Sequence, residues 1–322
     1  MKHISILVPN GENNLSSIAG TYKILTRANE QWKLKTVKPG YRIELIGTKG
    51  KVNFYGNVVT VKPQAFISDI KKTDLIIIPS LDHNYDESVK KNKAMIQWIT
   101  AQYRKGSEVA SICTGAFLLA ESGLLNGRNC STHWSAAENF RNRFPEINLQ
   151  AEELITHEHG IYTNGGAFSF LNLIIYLVEK YFDRATAIFC SKVFQIDMDR
   201  QHQSPFIIFA GQRKHGDEVV NKAQMIIEKN VGEKISMENL SNKLNVSRRN
   251  FDRRFIKATG NTPTEYAQRV KMEAVKNYLE STSKNVNEVM YEVGYTDVKA
   301  FREVFKKVTG LLPVEYKKKF SK

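Results

Sequence analysis

The run Ser111-Ile112-Cys113-Thr114-Gly115-Ala116-Phe117-Leu118-Leu119-Ala120 sets a cysteine between an apolar strand and the small-residue start of a helix. That spelling describes a nucleophile elbow, a strained strand-to-helix turn that exposes one side chain above a sheet. A thiol there lies near helix-terminal N–H groups, which lower its pKa and offer an oxyanion site. His133 follows in Ser131-Thr132-His133-Trp134 and is a plausible partner. A small buried cysteine at a tight turn is the purely structural alternative. A second concentration of chemistry is basic. Residues 243–271 hold Lys243, Arg248, Arg249, Arg253, Arg254, Lys257, Arg269 and Lys271 against only Asp252 and Glu265. Such a stretch suits a polyanion, although a solvated basic bundle would read the same way in isolation. His157-Glu158-His159 places two imidazoles on one side of a strand, but no third ligand is evident and a hairpin surface accounts for them, so no metal is expected. Cys130 and Cys190 read as core residues, and three cysteines are too few for a disulfide framework or a zinc site.

The elements that must position these groups fall into two kinds. Up to about residue 192, short β-branched runs alternate with helical stretches, which is α/β grammar. Ile4–Val8, Arg42–Ile46, Leu75–Ile78 and Val109–Ile112 read as buried parallel strands. Residues 16–29, 88–103, 115–122, 135–144 and 167–182 carry helical spacing, and 153–166 reads as a hairpin about His159-Gly160. The pattern loosens from 195 to 217, and no alternating strand pattern follows. The expected organisation is an α/β domain over 1–194, a connector over 195–217 and an all-helical domain over 218–322, and the family resemblance given below implies that the first is a sensor and dimerisation domain.

That last segment repeats itself at a period of 50 residues. Phe251, Phe255, Gly260, Pro263, Glu265 and Tyr266 recur as Phe301, Phe305, Gly310, Pro313, Glu315 and Tyr316. In each unit a Phe pair at i and i+4 anchors one helix face, a glycine ends that helix, and a proline opens the next; in the first unit Thr262 and Glu265 add a capping box. Upstream of each Phe pair lie a shorter helix and a tight turn, with Asn245 or Gly294 suited to a left-handed residue and Ser247 or Asp297 suited to an N-cap. This spells helix-turn-helix twice, joined by a helix over 264–280.

Val246-Ser247-Arg248-Arg249-Asn250-Phe251, Arg253-Arg254-Phe255, Ala258-Thr259-Gly260, Val293-Gly294-Tyr295 and Gly310-Leu311-Leu312-Pro313 resemble the AraC/XylS transcription-regulator DNA-binding domain. The resemblance implies that both recognition helices enter the major groove of double-stranded DNA at an operator or promoter. Carried onto this chain, its base-reading positions are Arg249, Asn250, Asp252 and Arg253, then Val298, Lys299 and Arg302, with Arg248, Lys257 and Lys306 as further DNA-binding residues. Arginine suits guanine and asparagine suits adenine, while Asp252 would read cytosine or orient Arg249 or Arg253. The elbow, Ala120 to Arg128 and the His133 segment resemble the PfpI-like, class I glutamine-amidotransferase-like superfamily, in the branch of GlxA-type regulators. Residues 199–206 and 212–217 look like that branch's connector.

The resemblance implies a flavodoxin-like parallel sheet with helices on both faces, followed by an all-α tandem helix-turn-helix domain. Enzymatic members of the superfamily use the elbow Cys, a His and an acid from the first strand-to-helix turn. Here that place falls on Ser16, with Glu12 as a substitute only if the turn is remodelled, and Pro79-Ser80-Leu81 stands where enzymes have glycines. The expectation is therefore no enzyme and no cofactor. In its place is a pocket of Ser16, Ser80, Cys113, Thr114 and His133 that holds a small polar or anionic effector. The alternatives are a cysteine hydrolase or deglycase fused to a DNA-binding module, and a nucleoid architectural protein.

Composition agrees with these readings. Lys and Arg outnumber Asp and Glu by 47 to 33, giving +14 over 322 residues, and nucleic acid becomes the leading partner class. The first apolar run stops at Pro9-Asn10, and no stretch approaches the length of a membrane span, so a cytoplasmic, nucleoid-associated protein is expected. Resemblance adds a homodimer, an unknown small-molecule effector and RNA polymerase as partners.

Overall fold

Short apolar runs become a buried sheet when both of their faces find a helical layer. The computed structural model describes residues 2–11, 13–38, 40–200, 202–213 and 215–321. It divides into two units, Met1–Gln203 and Ser204–Lys322. The segment 195–217 is shared between them. Gln203 belongs to the first, where its buried amide donates to the carbonyls of Thr132 (2.9 Å) and Ala151 (2.5 Å). Gln201 and Lys214 lie outside the described residues.

In the first unit the elements run β1 His3–Val8, α1 Leu15–Lys35, β2 Arg42–Gly47, β3 Val52–Phe54, β4 Val59–Val61, β5 Ala65–Phe66, β6 Leu75–Ile78, α2 Tyr85–Lys91, α3 Lys93–Arg104, β7 Glu108–Ile112, α4 Ala116–Glu121, β8 Asn129–Cys130, α5 Ala137–Arg143, β9 Asn148–Leu149, β10 Ile155–Glu158, β11 Ile161–Asn164, α6 Phe170–Tyr181 and α7 Arg184–Phe194. The main sheet has the order β10-β11-β7-β6-β1-β2-β5 and is parallel except for β10 against β11. Side chains alternate between its faces: Leu75, Ile77, Ala110 and Ile112 join one core with α1, α6 and α7, while Ile76, Ile78 and Val109 join another with α2 to α5. The hairpin about His159-Gly160 is present, and both residues have positive φ (49° and 74°), as a type I′ turn requires.

The first unit differs from the sequence reading in several places. Residues 88–103 are not one helix, because Asn92 interrupts them. Its side chain, 1% exposed, donates to the carbonyls of Asn10 (2.9 Å) and Ser88 (2.8 Å) and accepts from Asn10 N–H (2.8 Å), tying the break to the end of β1. The β3–β4 hairpin and α7 were not expected from the sequence at all. β3 and β4 are three residues each, too short for a period-two signal.

The second unit contains α8 Glu218–Lys229, α9 Met237–Lys243, α10 Arg248–Thr259, α11 Pro263–Ser281, α12 Val286–Glu292, α13 Val298–Thr309 and α14 Pro313–Phe320. α10 and α13 start and end at the 50-residue offset, each closed by a left-handed glycine, Gly260 (φ 68°) and Gly310 (φ 74°). The α9–α10 turn carries Asn245 at φ 55°, and the α12–α13 turn, one residue longer, carries Gly294 at φ 75°. Phe251, Phe255, Phe301 and Phe305 are fully buried, two in each of two small cores that share α11. At about 1.5 Å per residue α11 is about 28 Å long. The capping box at its start is present: Thr262 N–H donates to Glu265 Oε2 (2.9 Å) and Glu265 N–H to Thr262 Oγ1 (3.2 Å).

Candidate functional site

The sheet order reverses between β1 and β6, whose neighbours on either side are connected in opposite directions. A crevice opens at the carboxyl ends of strands at such a switch point. Here it is a cleft of about 630 Å³ lined by Asn13 and Asn14 after β1, Ser80, Leu81, Asp82 and His83 after β6, Cys113 and Thr114 after β7, Phe54 and Tyr55 from the β3–β4 hairpin, and His133, Ser135 and Ala167. Cys113 holds φ at +53°, the strained conformation of an elbow. Gly115 must be glycine because a Cβ there would stand 2.5 Å from the Pro79 carbonyl oxygen, and this close approach lays the β6 loop against the elbow.

Hydrogen bonds fix what the elbow can do. Thr114 Oγ1 accepts from Leu81 N–H (2.9 Å), donates to Leu81 O (2.7 Å) and lies 2.9 Å from Ser80 Oγ. The Leu81 amide is therefore occupied by a side chain. Burial pushes the Cys113 thiol up, against hydrogen bonds from Ser80 and the Thr114 amide, so the thiol stays protonated near neutral pH. Burial, with His83 nearby, holds the His133 imidazole below the ordinary histidine range. Its Nδ1 accepts from Ser135 N–H (3.2 Å) and lies 2.7 Å from Ser135 Oγ. The neutral ring consequently carries its proton on Nε2 and is a donor, with no free lone pair for a thiol proton. Among the described residues no hydrogen bond joins Cys113 to His133.

Ser80, Cys113, Thr114 and His133 thus meet in the cleft, and Ser16 does not. The Ser16 N–H donates to Asn14 Oδ1 (3.0 Å) in the first turn of α1, and it is Asn13 and Asn14 that reach the cleft wall. Glu12 lies outside the described residues. Among the described residues that line the cleft there is no Lys or Arg, and the carboxylate is that of Asp82. Asn13, 5% exposed, gives both amide protons to the Pro9 and Gly11 carbonyls, and its buried Oδ1 has no partner among the described residues. His157 and His159 do not share a strand face. His157 stacks on Tyr162 at 4.2 Å, His159 occupies the left-handed turn, and no cluster of three ligating residues occurs among the described residues.

In the second unit, α10 and α13 present the basic side chains. Arg249, Arg253 and Lys257 are exposed at i, i+4 and i+8, and Lys299, Arg302 and Lys306 at i, i+3 and i+7, each set sharing one face. Val298 is also exposed, at the first turn of α13. Arg253 donates to Asn250 Oδ1 at 3.1 Å. Asp252 pairs with Arg248, whose Nε reaches both carboxylate oxygens at 2.9 Å, and not with Arg249 or Arg253. Ser247 occupies the N-cap position of α10 without a capping hydrogen bond from its side chain, whereas Asp297 accepts from Lys299 N–H (2.8 Å) and Ala300 N–H (3.0 Å). One support was illegible in the sequence: Asp217, the N-cap of α8, binds Arg254 of α10 through both oxygens (2.7 and 2.9 Å).

The elbow and its cleft fall inside residues 2–178, which match the DJ-1/PfpI family. The chain belongs to that family. In this DJ-1/PfpI protein, residues 240–319 match a helix-turn-helix domain. The HTH-type transcriptional regulator GbdR of Pseudomonas aeruginosa is 23% identical over 303 residues, covering 93% of this chain and 80% of the relative. The HTH-type transcriptional regulator GlxA of Rhizobium meliloti is 24% identical over 221 residues, 65% of each chain. Among solved structures, a Vibrio parahaemolyticus protein described as a transcriptional regulator shares 26% identity, covers 60% of this chain and 98% of its own, and superposes with a TM-score of 0.54. Drosophila melanogaster DJ-1beta, 13% identical over 61% of this chain and 98% of its own, superposes at 0.51 and shows the shared fold. The DJ-1/PfpI fold thus precedes a tandem helix-turn-helix unit in one chain.

Proposed function

We propose that the protein is a sequence-specific DNA-binding transcription regulator whose DJ-1/PfpI unit binds a small effector and carries out no turnover. The observation that supports it most is the duplicated helix-turn-helix, with exposed basic residues on equivalent helices of both repeats. Arg249, Asn250 and Arg253 read bases from the first helix, and Val298, Lys299 and Arg302 from the second. Arg248 orients through Asp252, and Lys257 and Lys306 meet phosphates. Relatives along nearly the whole chain carry regulator names. Selecting bound fragments from a random DNA pool tests this directly: enrichment of one sequence motif is expected, and binding without preference would favour an architectural protein.

The cleft supports a sensor because its polar groups are arranged for holding and not for proton transfer. His133 is a donor, the Leu81 amide is occupied, and the Phe54 and Tyr55 rings add apolar surface to the lining. A neutral or cationic polar molecule suits that lining. Such an effector shifts the regulator only by its differential affinity for two states, typically about 1–3 kcal/mol. The reading extends to a homodimer formed through the first unit, to RNA polymerase as a further partner, and to the cytoplasm as the place of action. No helix among the described residues is long and apolar enough to cross a membrane.

Cys113→Ser is expected to leave folding and effector-free DNA binding intact, because a hydroxyl fits the same buried space. Mass spectrometry after exposure to amides, esters and reactive aldehydes should show no Cys113-dependent covalent intermediate with turnover. Finding one would replace the sensor with a hydrolase.

A further inference from the structure

Residues that hold a two-headed DNA reader at one geometry also decide which half-site spacing it accepts. α11 passes through both small cores, giving Tyr266, Ala267 and Val270 to the first and Met272, Val275 and Leu279 to the second. Lys271 stands at the junction. Its ammonium donates to the Glu233 carbonyl (3.0 Å), in the α8–α9 loop of the first repeat, and to the Val293 carbonyl (2.6 Å), in the turn of the second. The Tyr295 ring lies 5.7 Å away. The same two segments touch directly: a Cβ on Gly294 would overlap the Gly232 carbonyl oxygen, and one on Gly232 would stand 2.9 Å from the Glu292 carbonyl. Val231, next in the chain, packs against both cores.

We propose that Lys271 is a positioning residue that fixes the separation of the two recognition helices, and with it the half-site spacing this protein accepts. The proposal rests on the DNA-reading function above. A lysine in a DNA-binding domain is more often a phosphate contact, but this ammonium already serves two backbone carbonyls from different repeats. Burial also lowers its pKa, as expected for an amine turned away from water. With the repeats tied at α11 and again at Gly232 and Gly294, neither head can follow a shifted half-site. One inserted base pair moves a half-site by about 3.4 Å and turns it by about 34°.

The test uses the full-length protein and the paired motif it selects from random DNA, with the spacer shortened or lengthened by one base pair. The wild type is expected to lose about tenfold or more at either altered spacing. Lys271→Met should flatten that penalty to under about threefold while leaving base preference within each half-site unchanged, and Lys271→Arg, which still donates to both carbonyls, should restore it. A Lys271→Met protein that weakens equally on all spacings would overturn the proposal and make Lys271 a phosphate contact. If that variant fails to fold by circular dichroism, spin labels at the exposed Asn242 and Asn287 of the wild type decide. One narrow distance without DNA supports a fixed separation, and a broad distribution overturns it. A wild type that selects no motif would sink the DNA-reading function instead, and the label distance would still judge the link.

Discussion

Phe255→Ala is expected to destabilise the C-terminal unit by about 3–5 kcal/mol, the cost of emptying a fully buried aromatic site. Phe255 is 0% exposed and meets Phe251 and Tyr266 edge-on, with centroids at 5.6 and 5.3 Å. Little can collapse into the gap, because among the described residues the surrounding core has nine buried members, three of them on α11. Phe305→Ala should cost a similar amount in the second repeat, where Phe305 meets Tyr316 at 5.4 Å. Urea unfolding followed by circular dichroism measures both. A loss below about 1 kcal/mol at either position would mean that the Phe pairs are not the anchors of the repeats.

Arg249→Ala is expected to weaken binding to the selected DNA by about 1–3 kcal/mol and to relax preference at one base position. Among the described residues Arg249 is exposed and makes no hydrogen bond or ion pair, so its donors are free for a guanine edge. Arg253→Ala should behave alike, at a second position one turn along α10. Lys257→Ala serves as the contrast: it should weaken every sequence alike and reduce the salt dependence by about one phosphate contact. Titrations on selected and random duplexes at two salt concentrations separate these outcomes. Equal losses on both duplexes for Arg249→Ala would remove it from the base-reading set.

Arg254 shows how neighbouring arginines divide these tasks. It stands beside Arg253 in the chain, yet its guanidinium is taken up by Asp217, and that pairing holds the Asp217 carboxyl below the usual carboxylate range. One arginine is left for DNA and the next fastens the reading helix to α8. Nothing in the run Arg248-Arg249-Asn250-Phe251-Asp252-Arg253-Arg254 marks that difference, since it depends on a residue 37 positions away.

What the sequence determined by itself was local or periodic. The Phe pairs, the glycine stops, the Thr262–Glu265 box and the left-handed residues at 245 and 294 follow from i, i+3 and i+4 geometry within one turn or helix, and the 50-residue repeat multiplies each signal by two. The central strands β1, β6 and β7 were legible because burial on both faces demands apolar runs, whereas β2, read from the sequence as buried, has Arg42 exposed and Ile43, Glu44 and Leu45 only half-buried. The cleft was different. Cys113 and His133 could be named from their own neighbourhoods, but Ser16 could not be told from Asn13 and Asn14, because one residue along a tight turn redirects the side chain. The tertiary structure alone decided that Thr114 occupies the Leu81 amide, that Ser135 fixes the His133 tautomer, and that Lys271 spans two repeats. In each case the deciding partner is a backbone N–H or carbonyl, a group every residue but proline carries in full, so its position and not its identity holds the information.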